Sequence, residues 1–363
     1  MQLPQGLGKL VIVGGAAFVG LMFLVKASSL ASLIVAFGLL LSAVWYAEQG
    51  GAMVFLSARD RAVLITGCDS GFGFELVHQL DAQGLQVFAG CLFKDGEGAK
   101  KLKENCSERV HVLQLDVTNE QQIKDALQYV KKNLPKFGLW AIVNNAGLNF
   151  LGEMELTTMA QYNRVIDINL TGVIRITKAF MPFIIKSRGR IINVTSVKGL
   201  LTPVFNAAYS STKFALEGFS DCLRLEMKKW GVTVSIIEPC CFGSATKAVD
   251  KERMAKDFEA QWDDMDDEMK KRYGKEYVDS FNDLIAESDK GSSYDINPVI
   301  AAMSDAILNP SPKIRYLIGG GSGWYDPFKF YYLLSLVLPC SLTDRLVARW
   351  SSSGFPLPDA LKN

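Results

Sequence analysis

A tyrosine and a lysine stand four residues apart in "YSSTK", at positions 209 and 213. On a helix this spacing places both side chains on one face, where they form either a surface pair or a working pair. A phenol with a pKa of about 10 is too weak an acid to serve as a base at neutral pH, and a neighbouring ammonium favours its ionised form. We therefore predict that Lys213 lowers the pKa of Tyr209 and makes it a proton-transfer group.

Two further polar residues could complete this set. Ser196 ends the stretch "RIINVTS", and Asn169 lies mid-helix in "DINLTG", where a polar side chain is expected to bond something. Ser196 would hold a substrate oxygen beside Tyr209, and Asn169 would pass protons onward through water. Such a set could take the proton of an alcohol while NAD⁺ accepts its hydride. For any single member the alternative is ordinary packing or capping.

A glycine-rich turn supplies the second kind of chemistry. "LITGCDSGFGFEL" carries Gly67, Gly71 and Gly73 between an apolar strand and a helical pattern. Glycines let backbone approach a pyrophosphate, and the helix N-terminus offers N–H groups and a positive dipole end. A glycine-rich turn without a ligand is the alternative. The cofactor contacts predicted here are Thr66, Gly67, Asp69, Ser70, Gly71, Phe72 and Gly73.

Two more motifs end strands of the same pattern. Asp116 closes "VHVLQLD" and could accept a hydrogen bond from an adenine amino group, although a strand-end cap is the alternative. "NNAG" (144–147) closes another strand, and its small residues could lie along the cofactor. Ligands of open α/β sheets bind beyond the carboxyl ends of the strands, so the motifs converge on one crevice. The contacts predicted here are Asp116, Val117, Asn144, Ala146 and Gly147.

The elements that must position these residues alternate along the chain. From Arg61, short apolar runs such as "RAVLITG" and "VTVSIIEP" alternate with helical patterns such as "GFELVHQLDAQG". This order predicts βαβ units and a Rossmann-type doubly wound parallel sheet over residues 60–320. The charged stretch near 245–295 is helical in pattern. It is either a solvated insertion or a lid over the substrate.

Both ends of the chain are apolar. Residues 27–46 run for twenty residues without a charge, about the length that spans a membrane, after a shorter apolar run at 10–25. We expect residues 1–50 to form a membrane anchor of one or two helices, with a signal or transit peptide as the disfavoured alternatives. Within the C-terminal segment 321–363, "PFKFYYLLSLVLPC" is too short to span. It could lie in the membrane interface, line a lipophilic pocket, or form a buried core helix.

Composition excludes other classes of function. Net charge is +1, so no electrostatic case for nucleic-acid binding arises. Seven cysteines and two histidines occur without the spacing of a zinc site, so we expect no metal.

Taken together, these motifs resemble the short-chain dehydrogenase/reductase family over residues 61–250. "LITGCDSGFG", "GLWAIVNNAG", "DCLRLEMKKWGV" and "YGKEY" are similar to its branch of type 2 17β-hydroxysteroid, retinol and D-3-hydroxybutyrate dehydrogenases. The resemblance implies a Rossmann fold, catalysis by Asn169, Ser196, Tyr209 and Lys213, and a bond from Lys213 to the nicotinamide ribose.

The chain departs from the family pattern at one turn. Pro239 is followed by Cys240 where the family usually has glycine, and a Cβ resists positive φ. The nicotinamide contacts expected from Pro239 and Thr246 would shift if that turn needs such a φ. At the end of the second strand, Cys91-Leu92 offers neither the acid that binds ribose hydroxyls nor an arginine for a 2′-phosphate. That absence of arginine and the branch resemblance favour NAD over NADP.

The sequence thus predicts a membrane-associated oxidoreductase for a lipophilic secondary alcohol or ketone, of the steroid 17β-hydroxyl or retinoid type. Ser196 and Tyr209 would contact this substrate. One alternative is a dehydrogenase of small hydroxy acids such as 3-hydroxybutyrate, with Lys198 as the candidate cation for the carboxylate. Another is a non-catalytic cofactor-binding scaffold. We expect a membrane location in the endoplasmic reticulum, or alternatively the mitochondrial inner membrane, and a homodimer through the sheet-flanking helices.

Overall fold

A parallel sheet forms the centre of the molecule. The computed structural model describes residues 56–246, 250–290, 292–320 and 326–362. Within these ranges the sheet has seven strands in the order β3-β2-β1-β4-β5-β6-β7, and every neighbouring pair is parallel. The order reverses between β1 and β4, as in a doubly wound fold. The strands are β1 (Ala62–Thr66), β2 (Gln86–Cys91), β3 (Val110–Gln114), β4 (Leu139–Asn144), β5 (Arg190–Val194), β6 (Thr233–Pro239) and β7 (Arg315–Ile318).

Helices cover both faces of the sheet, so β1 is buried on both sides and reads as the continuous apolar run "AVLIT". Val63 and Ile65 face one apolar core, whereas Ala62 and Leu64 face the other. The helices are α1 (Gly71–Ala82), α2 (Glu97–Asn105), α3 (Glu120–Lys132), α4 (Met159–Ile166), α5 (Gly172–Ser187), α6 (Ala207–Met227), α7 (Lys251–Asp264), α8 (Asp267–Tyr273), α9 (Lys275–Lys290), α10 (Asn297–Leu308), α11 (Pro327–Ser335) and α12 (Cys340–Ser351).

A π-helical turn, Asp167–Thr171, joins α4 and α5 into one helix, Met159–Ser187. Among the described residues this is the one helix long and apolar enough to cross a membrane by length and composition. The α5 side chains Val173, Ile176 and Phe180 are nevertheless buried, and Ile176 and Phe180 belong to one of the two sheet cores. We therefore interpret it as a core helix that covers the sheet.

The segment between β6 and β7 is helical, as the charged pattern predicts. Helices α7 and α9 pack through Phe258, Tyr277 and Phe281 into an apolar cluster separate from the sheet cores. The C-terminal helix α11 has no buried residue, so the alternative that this segment is a buried core helix is wrong. The expected membrane anchor, residues 1–50, lies outside the described residues.

Candidate active site

The glycine-rich turn forms a backbone cradle at the carboxyl end of β1. Gly71 has a φ of 62°, a conformation open to glycine, and a Cβ added to Gly73 would lie 2.3 Å from the Gly67 carbonyl oxygen. Ser70 precedes α1 without a side-chain cap, which leaves the first N–H groups of the helix without a side-chain acceptor. These residues fit a dinucleotide pyrophosphate, because the turn is compact and its N–H groups can donate hydrogen bonds to an anion.

Thr66 and Asn145 fix the cradle to the end of β4. The Thr66 hydroxyl oxygen accepts hydrogen bonds from the backbone N–H groups of Asn145 and Ala146, at 3.1 and 3.0 Å. The Asn145 amide donates to the carbonyls of Thr66 and Gly67, at 2.9 and 3.0 Å. Sequence reasoning missed Asn145, although side chains that alternate along a strand place it on the face opposite to Asn144.

The Asn144 side chain does not lie where we expected it. Its amide donates to Thr177 Oγ1 at 3.0 Å and to Asn193 Oδ1 at 2.8 Å, inside the core between β4, β5 and α5. Its side chain therefore ties these elements together and is not directed along the cofactor. Asn193 in turn donates to Ser220 Oγ at 2.8 Å, so the buried polar groups continue into α6.

Two acids, Asp69 and Asp116, lie near the carboxyl ends of β2 and β3. Asp69 accepts hydrogen bonds from the N–H groups of Leu92 and Phe93, at 2.8 and 3.0 Å, directly after β2. A carboxylate thus reaches the end of β2 from the glycine-rich turn, although Cys91-Leu92 itself offers none. Asp116 accepts through Oδ1 from the N–H and hydroxyl of Thr118, as a strand-end cap would.

Tyr209 and Lys213 lie on one face of α6, as the spacing predicts. Lys213 Nζ is 5.6 Å from the centre of the Tyr209 ring and donates to the Val194 carbonyl at 3.0 Å. The residues around them close the same space: a Cβ built on Gly147 would be 3.5 Å from Asn169 Oδ1 and 3.7 Å from Lys213 Nζ. The glycine after β4 and two of the four predicted catalytic residues therefore converge.

The expected electrostatics of this pair need correction. Burial raises the pKa of Tyr209 to about 12, and a hydrogen bond with Ser196 only partly opposes this. Burial also lowers the pKa of Lys213 to about 8, with Glu217 acting in the opposite direction. Burial dominates here because each charged form loses water. Our prediction that Lys213 makes the phenol acidic is therefore wrong for this structure: Tyr209 is protonated at neutral pH.

Asn169 is held by backbone in the π-helical turn. Its amide donates to the Leu148 carbonyl at 2.9 Å, and its Oδ1 accepts from the Leu148 N–H at 2.7 Å. It also donates to Thr212 Oγ1 at 3.2 Å. The residue is 1 % exposed, and such turns are frequent at functional sites. The sequence predicted a bonded polar residue here but not the change of helix type.

The turn after β6 does not require a positive φ at Cys240, the position where the family usually has glycine. Cys240 does not have a positive φ, and its N–H donates to the Ile318 carbonyl at 2.9 Å, which continues the ladder from Pro239 to β7. Its Cβ therefore meets no backbone penalty. Thr246 lies against the cradle, since a Cβ on Gly71 would be 3.1 Å from the Thr246 Cβ.

Sequence reasoning also missed a cluster of three acids around Arg315, formed by residues of α6 and β6. Arg315 donates to Glu217, Asp221 and Glu238 at 2.5, 2.7 and 2.6 Å. Burial and the neighbouring carboxylates raise the pKa of Glu238 to about 7. The signal available in the sequence was Glu217, four residues after Lys213 and hence on the same face of the helix. No group of three or more metal-ligating side chains occurs in the described part of the chain.

Comparison with known proteins identifies the family. The family model described as short chain dehydrogenase matches residues 61–255. The chain belongs to the short-chain dehydrogenase family. Two solved members support the fold, each with a TM-score of 0.61. One, from Streptomyces avermitilis, is 23% identical and covers 79% of this chain and 97% of its own. The other, from Burkholderia phymatum in complex with NAD, is 19% identical, with 72% and 90% covered.

Three relatives are named for different dehydrogenase activities. D-beta-hydroxybutyrate dehydrogenase, mitochondrial, of Mus musculus is 37% identical and covers 83% of this chain and 86% of its own. Retinol dehydrogenase 16 of Homo sapiens is 37% identical, with 84% and 92% covered. Estradiol 17-beta-dehydrogenase 2 of Mus musculus is 39% identical, with 85% and 79% covered. The predicted family, Rossmann-type sheet and alcohol dehydrogenase class are confirmed, and the cofactor of this short-chain dehydrogenase is NAD(P).

Proposed function

We propose that this protein is a membrane-associated dehydrogenase that transfers hydride between NAD(H) and a lipophilic alcohol, either a secondary alcohol of the steroid type, which gives a ketone, or a primary alcohol of the retinoid type, which gives an aldehyde. The observation that carries the proposal is the convergence of Asn169, Gly147 and Lys213 beside Tyr209, at the strand ends that also form the glycine cradle. A scaffold without activity would have no need of this convergence. NAD⁺, when bound, would supply the hydride acceptor.

The proton chemistry falls to Tyr209. Its protonated phenol suits the donation of a proton to a ketone oxygen, and Ser196, whose side chain partly opposes the rise in the Tyr209 pKa, would hold that oxygen in place. In the direction of oxidation the phenol must first release its proton. Lys213 would help to carry this proton away, because its pKa of about 8 lets it exchange a proton near neutral pH. Asn169 would connect this exchange to water.

NAD is favoured over NADP by the position of Asp69. Its carboxylate occupies the end of β2 through the N–H groups of Leu92 and Phe93, near where the adenosine ribose would lie. A 2′-phosphate there would face a like charge, and neighbouring Ser70 supplies no cation. The other predicted cofactor contacts carry over from the sequence except for the side chain of Asn144, which lies in the core, and Asn145 is an addition that holds the cradle.

The surface of the C-terminal helices supports association of the protein with a membrane. Leu333, Leu336 and Val337 are 50, 63 and 78 % exposed, so α11 and the turn after it carry a run of apolar side chains. Such a surface suits the interface of a bilayer rather than water. With residues 1–50 as the anchor, we propose the endoplasmic reticulum as the location, and the mitochondrial inner membrane as the alternative. A homodimer through the sheet-flanking helices stays a prediction.

Two substrate classes follow from the relatives and the site. A steroid or retinoid is supported by the apolar C-terminal helices, through which a lipophilic alcohol could enter from the bilayer. A hydroxy acid is the second candidate, and the observation that favours it is Lys198, whose Nζ lies 5.7 Å from the centre of the Tyr209 ring.

The test is a turnover assay of the full chain in nanodiscs, with NAD⁺ or NADP⁺ against estradiol, retinol and 3-hydroxybutyrate. We expect NADH formation with at least one alcohol, and its loss in Tyr209→Phe with cofactor binding retained. Tyr294→Phe is the matched control, because Tyr294 is 75 % exposed. Undiminished turnover in Tyr209→Phe would refute the catalytic assignment. No turnover of any alcohol with either cofactor would refute the proposed function.

A further inference from the structure

Lys198 lies beside Ser196 and Tyr209 but takes no part in the proton transfer described above. It lies in the short 3-10 turn Val197–Gly199 that follows β5, two residues after Ser196. Its N–H donates to Ser196 Oγ at 3.2 Å, and its Nζ is 5.7 Å from the centre of the Tyr209 ring. A partly buried ammonium is therefore placed beside the two residues that would hold the substrate oxygen.

This ammonium has no counter-charge among the residues that the structure describes. Its hydrogen-bond partner is Asn206, whose Oδ1 accepts from Nζ at 2.7 Å. No carboxylate of the described ranges lies within ion-pair distance of it, whereas the Arg315 guanidinium pairs with three carboxylates. An ammonium has three N–H donors, and one neutral amide oxygen satisfies only one of them. A cation so placed is suited to an anion brought by a ligand.

Asn206 is itself held in place by a strained backbone. Phe205 has a φ of 65°, a conformation uncommon for an aromatic residue, and its carbonyl accepts from the Gly152 N–H at 2.9 Å. The Asn206 amide donates to the Val204 carbonyl at 2.8 Å, which directs Oδ1 toward Lys198. Strain of this kind persists where the surroundings fix it, and it clusters at ligand sites.

Aromatic rings wall the ammonium. The Phe328 ring of α11 is also 5.7 Å from Nζ, and Trp350 packs edge-on against Phe328 with ring centres 4.8 Å apart. Burial lowers the pKa of Lys198 to about 8, and the nearby Cys241 thiol acts in the opposite direction. The side chain is therefore still mainly charged at pH 7. A bound carboxylate would restore its ordinary pKa, because an opposite charge favours the ammonium.

We propose that Lys198, oriented by Asn206, binds a carboxylate of the substrate, so that the substrate class is a hydroxy acid whose acid group lies a few bonds from the carbinol. This inference rests on the proposed function for the reaction and narrows its substrate. The apolar C-terminal helices then suit an acyl chain behind the carboxylate. A neutral steroid or retinol would leave the ammonium desolvated and unpaired, which disfavours it.

The experiment compares acids with their methyl esters. The full chain in nanodiscs is assayed with NAD⁺ on 3-hydroxybutyrate, 3-hydroxydecanoate and the methyl ester of each, beside estradiol and retinol. We expect the acids to exceed their esters in kcat/KM by on the order of 100-fold, the penalty for one missing partner of a buried charged pair. Lys198→Met should lower kcat/KM for the acids by a similar factor and leave the esters within about threefold. Lys198→Arg should retain most of the preference.

Lys186→Met is the matched control, since this lysine is exposed on α5. It should change kcat/KM neither for the acids nor for their esters. Melting temperatures of all variants show whether each is folded. Equal kcat/KM for acid and ester, or a Lys198→Met variant that keeps the wild-type preference for acids, would overturn the inference.

A binding measurement separates this inference from the proposed function. The Tyr209→Phe variant lacks the proton donor and should not turn over substrate. Calorimetric titration of this variant with 3-hydroxydecanoate and its methyl ester therefore measures binding affinity alone. We expect binding of the acid at least tenfold tighter than of the ester, and loss of that difference in Tyr209→Phe with Lys198→Met. Such a result with no turnover by the wild type refutes the proposed function but supports the anion site. Equal binding of acid and ester refutes the anion site whether or not the wild type is active.

Discussion

Replacement of Lys213 by methionine should stabilise the protein at neutral pH while abolishing turnover. Lys213 is 5 % exposed, and burial lowers its pKa from 10.5 to about 8. The drop of roughly 2.5 units corresponds to about 3 kcal/mol of free energy that disfavours the ammonium in the folded state. Methionine has a similar length and carries no charge, so this penalty disappears in the variant.

One loss offsets part of the gain. The Val194 carbonyl, which accepts from Lys213 Nζ at 3.0 Å, has no donor in the variant. A buried acceptor left unpaired costs about 1–2 kcal/mol. The net expectation for Lys213→Met at pH 7 is a free energy of unfolding raised by roughly 1–2 kcal/mol, and hence a melting temperature raised by a few degrees.

The pH dependence gives this prediction its sign. Between pH 8 and 10.5 the folded wild type binds fewer protons at Lys213 than the unfolded chain does, so its stability relative to the variant rises through that window. Thermal unfolding of both proteins in the same detergent, at steps from pH 7 to 10, measures the difference. Lys186→Met, at an exposed lysine, should show no such trend. A variant that melts below the wild type by the same amount at every pH would refute the reasoning.

Three further predictions concern the cradle, the acidic cluster and the cofactor. Gly73→Ala should weaken NAD binding at least tenfold, because its Cβ would lie 2.3 Å from the Gly67 carbonyl oxygen. Gly218→Ala is the control: no atom lies within 4 Å of its added Cβ, so it should leave the melting temperature unchanged or raise it. Glu238, whose pKa is raised to about 7, binds protons more tightly when folded, so wild-type stability relative to Glu238→Gln should fall from about pH 4.5 to 7. Asp69→Ser should raise kcat/KM with NADP⁺ relative to NAD⁺ roughly tenfold or more, because the like charge is gone.

A specific result would contradict each of these three predictions. Unchanged NAD affinity in Gly73→Ala would mean that the turn relaxes without effect on the cradle. A stability difference for Glu238→Gln that does not change between pH 4.5 and 7 would show that Glu238 does not bind a proton more tightly in the folded state. An unaltered cofactor ratio in Asp69→Ser would move the discrimination to another part of the adenosine pocket.

The sheet could be predicted from the sequence because its strands are short apolar runs bounded by turns. "AVLIT" and "TVSIIEP" can be buried on both faces only in a parallel sheet covered by helices. The glycine turn and the Tyr209–Lys213 pair were likewise readable, because each is a local spacing on one element.

What the sequence could not supply were the properties set by contacts between distant elements. The pKa of Tyr209 is raised by burial, and the opposing effect of Ser196 is too small to cancel this rise. The Asn144 side chain turns toward Thr177 on α5, 33 residues away, and so leaves the crevice to Asn145. The carboxylate at the end of β2 comes from Asp69, 23 residues before the N–H of Leu92 that it binds. Local periodicity carries no information on any of these.

The π-helical turn at Asp167–Thr171 also fixes the number of residues between Asn169, which is bonded to Leu148, and the buried face of α5. Each residue of an α-helix advances it by about 100°, and the wider turn absorbs one residue of rotation. Deletion of one residue there would permit a regular helix, but Val173 and Ile176 would swing about 100° around the axis and off β4. Surface loops of this chain can change length over evolution, whereas this segment must keep its count for Asn169 to stay at the crevice.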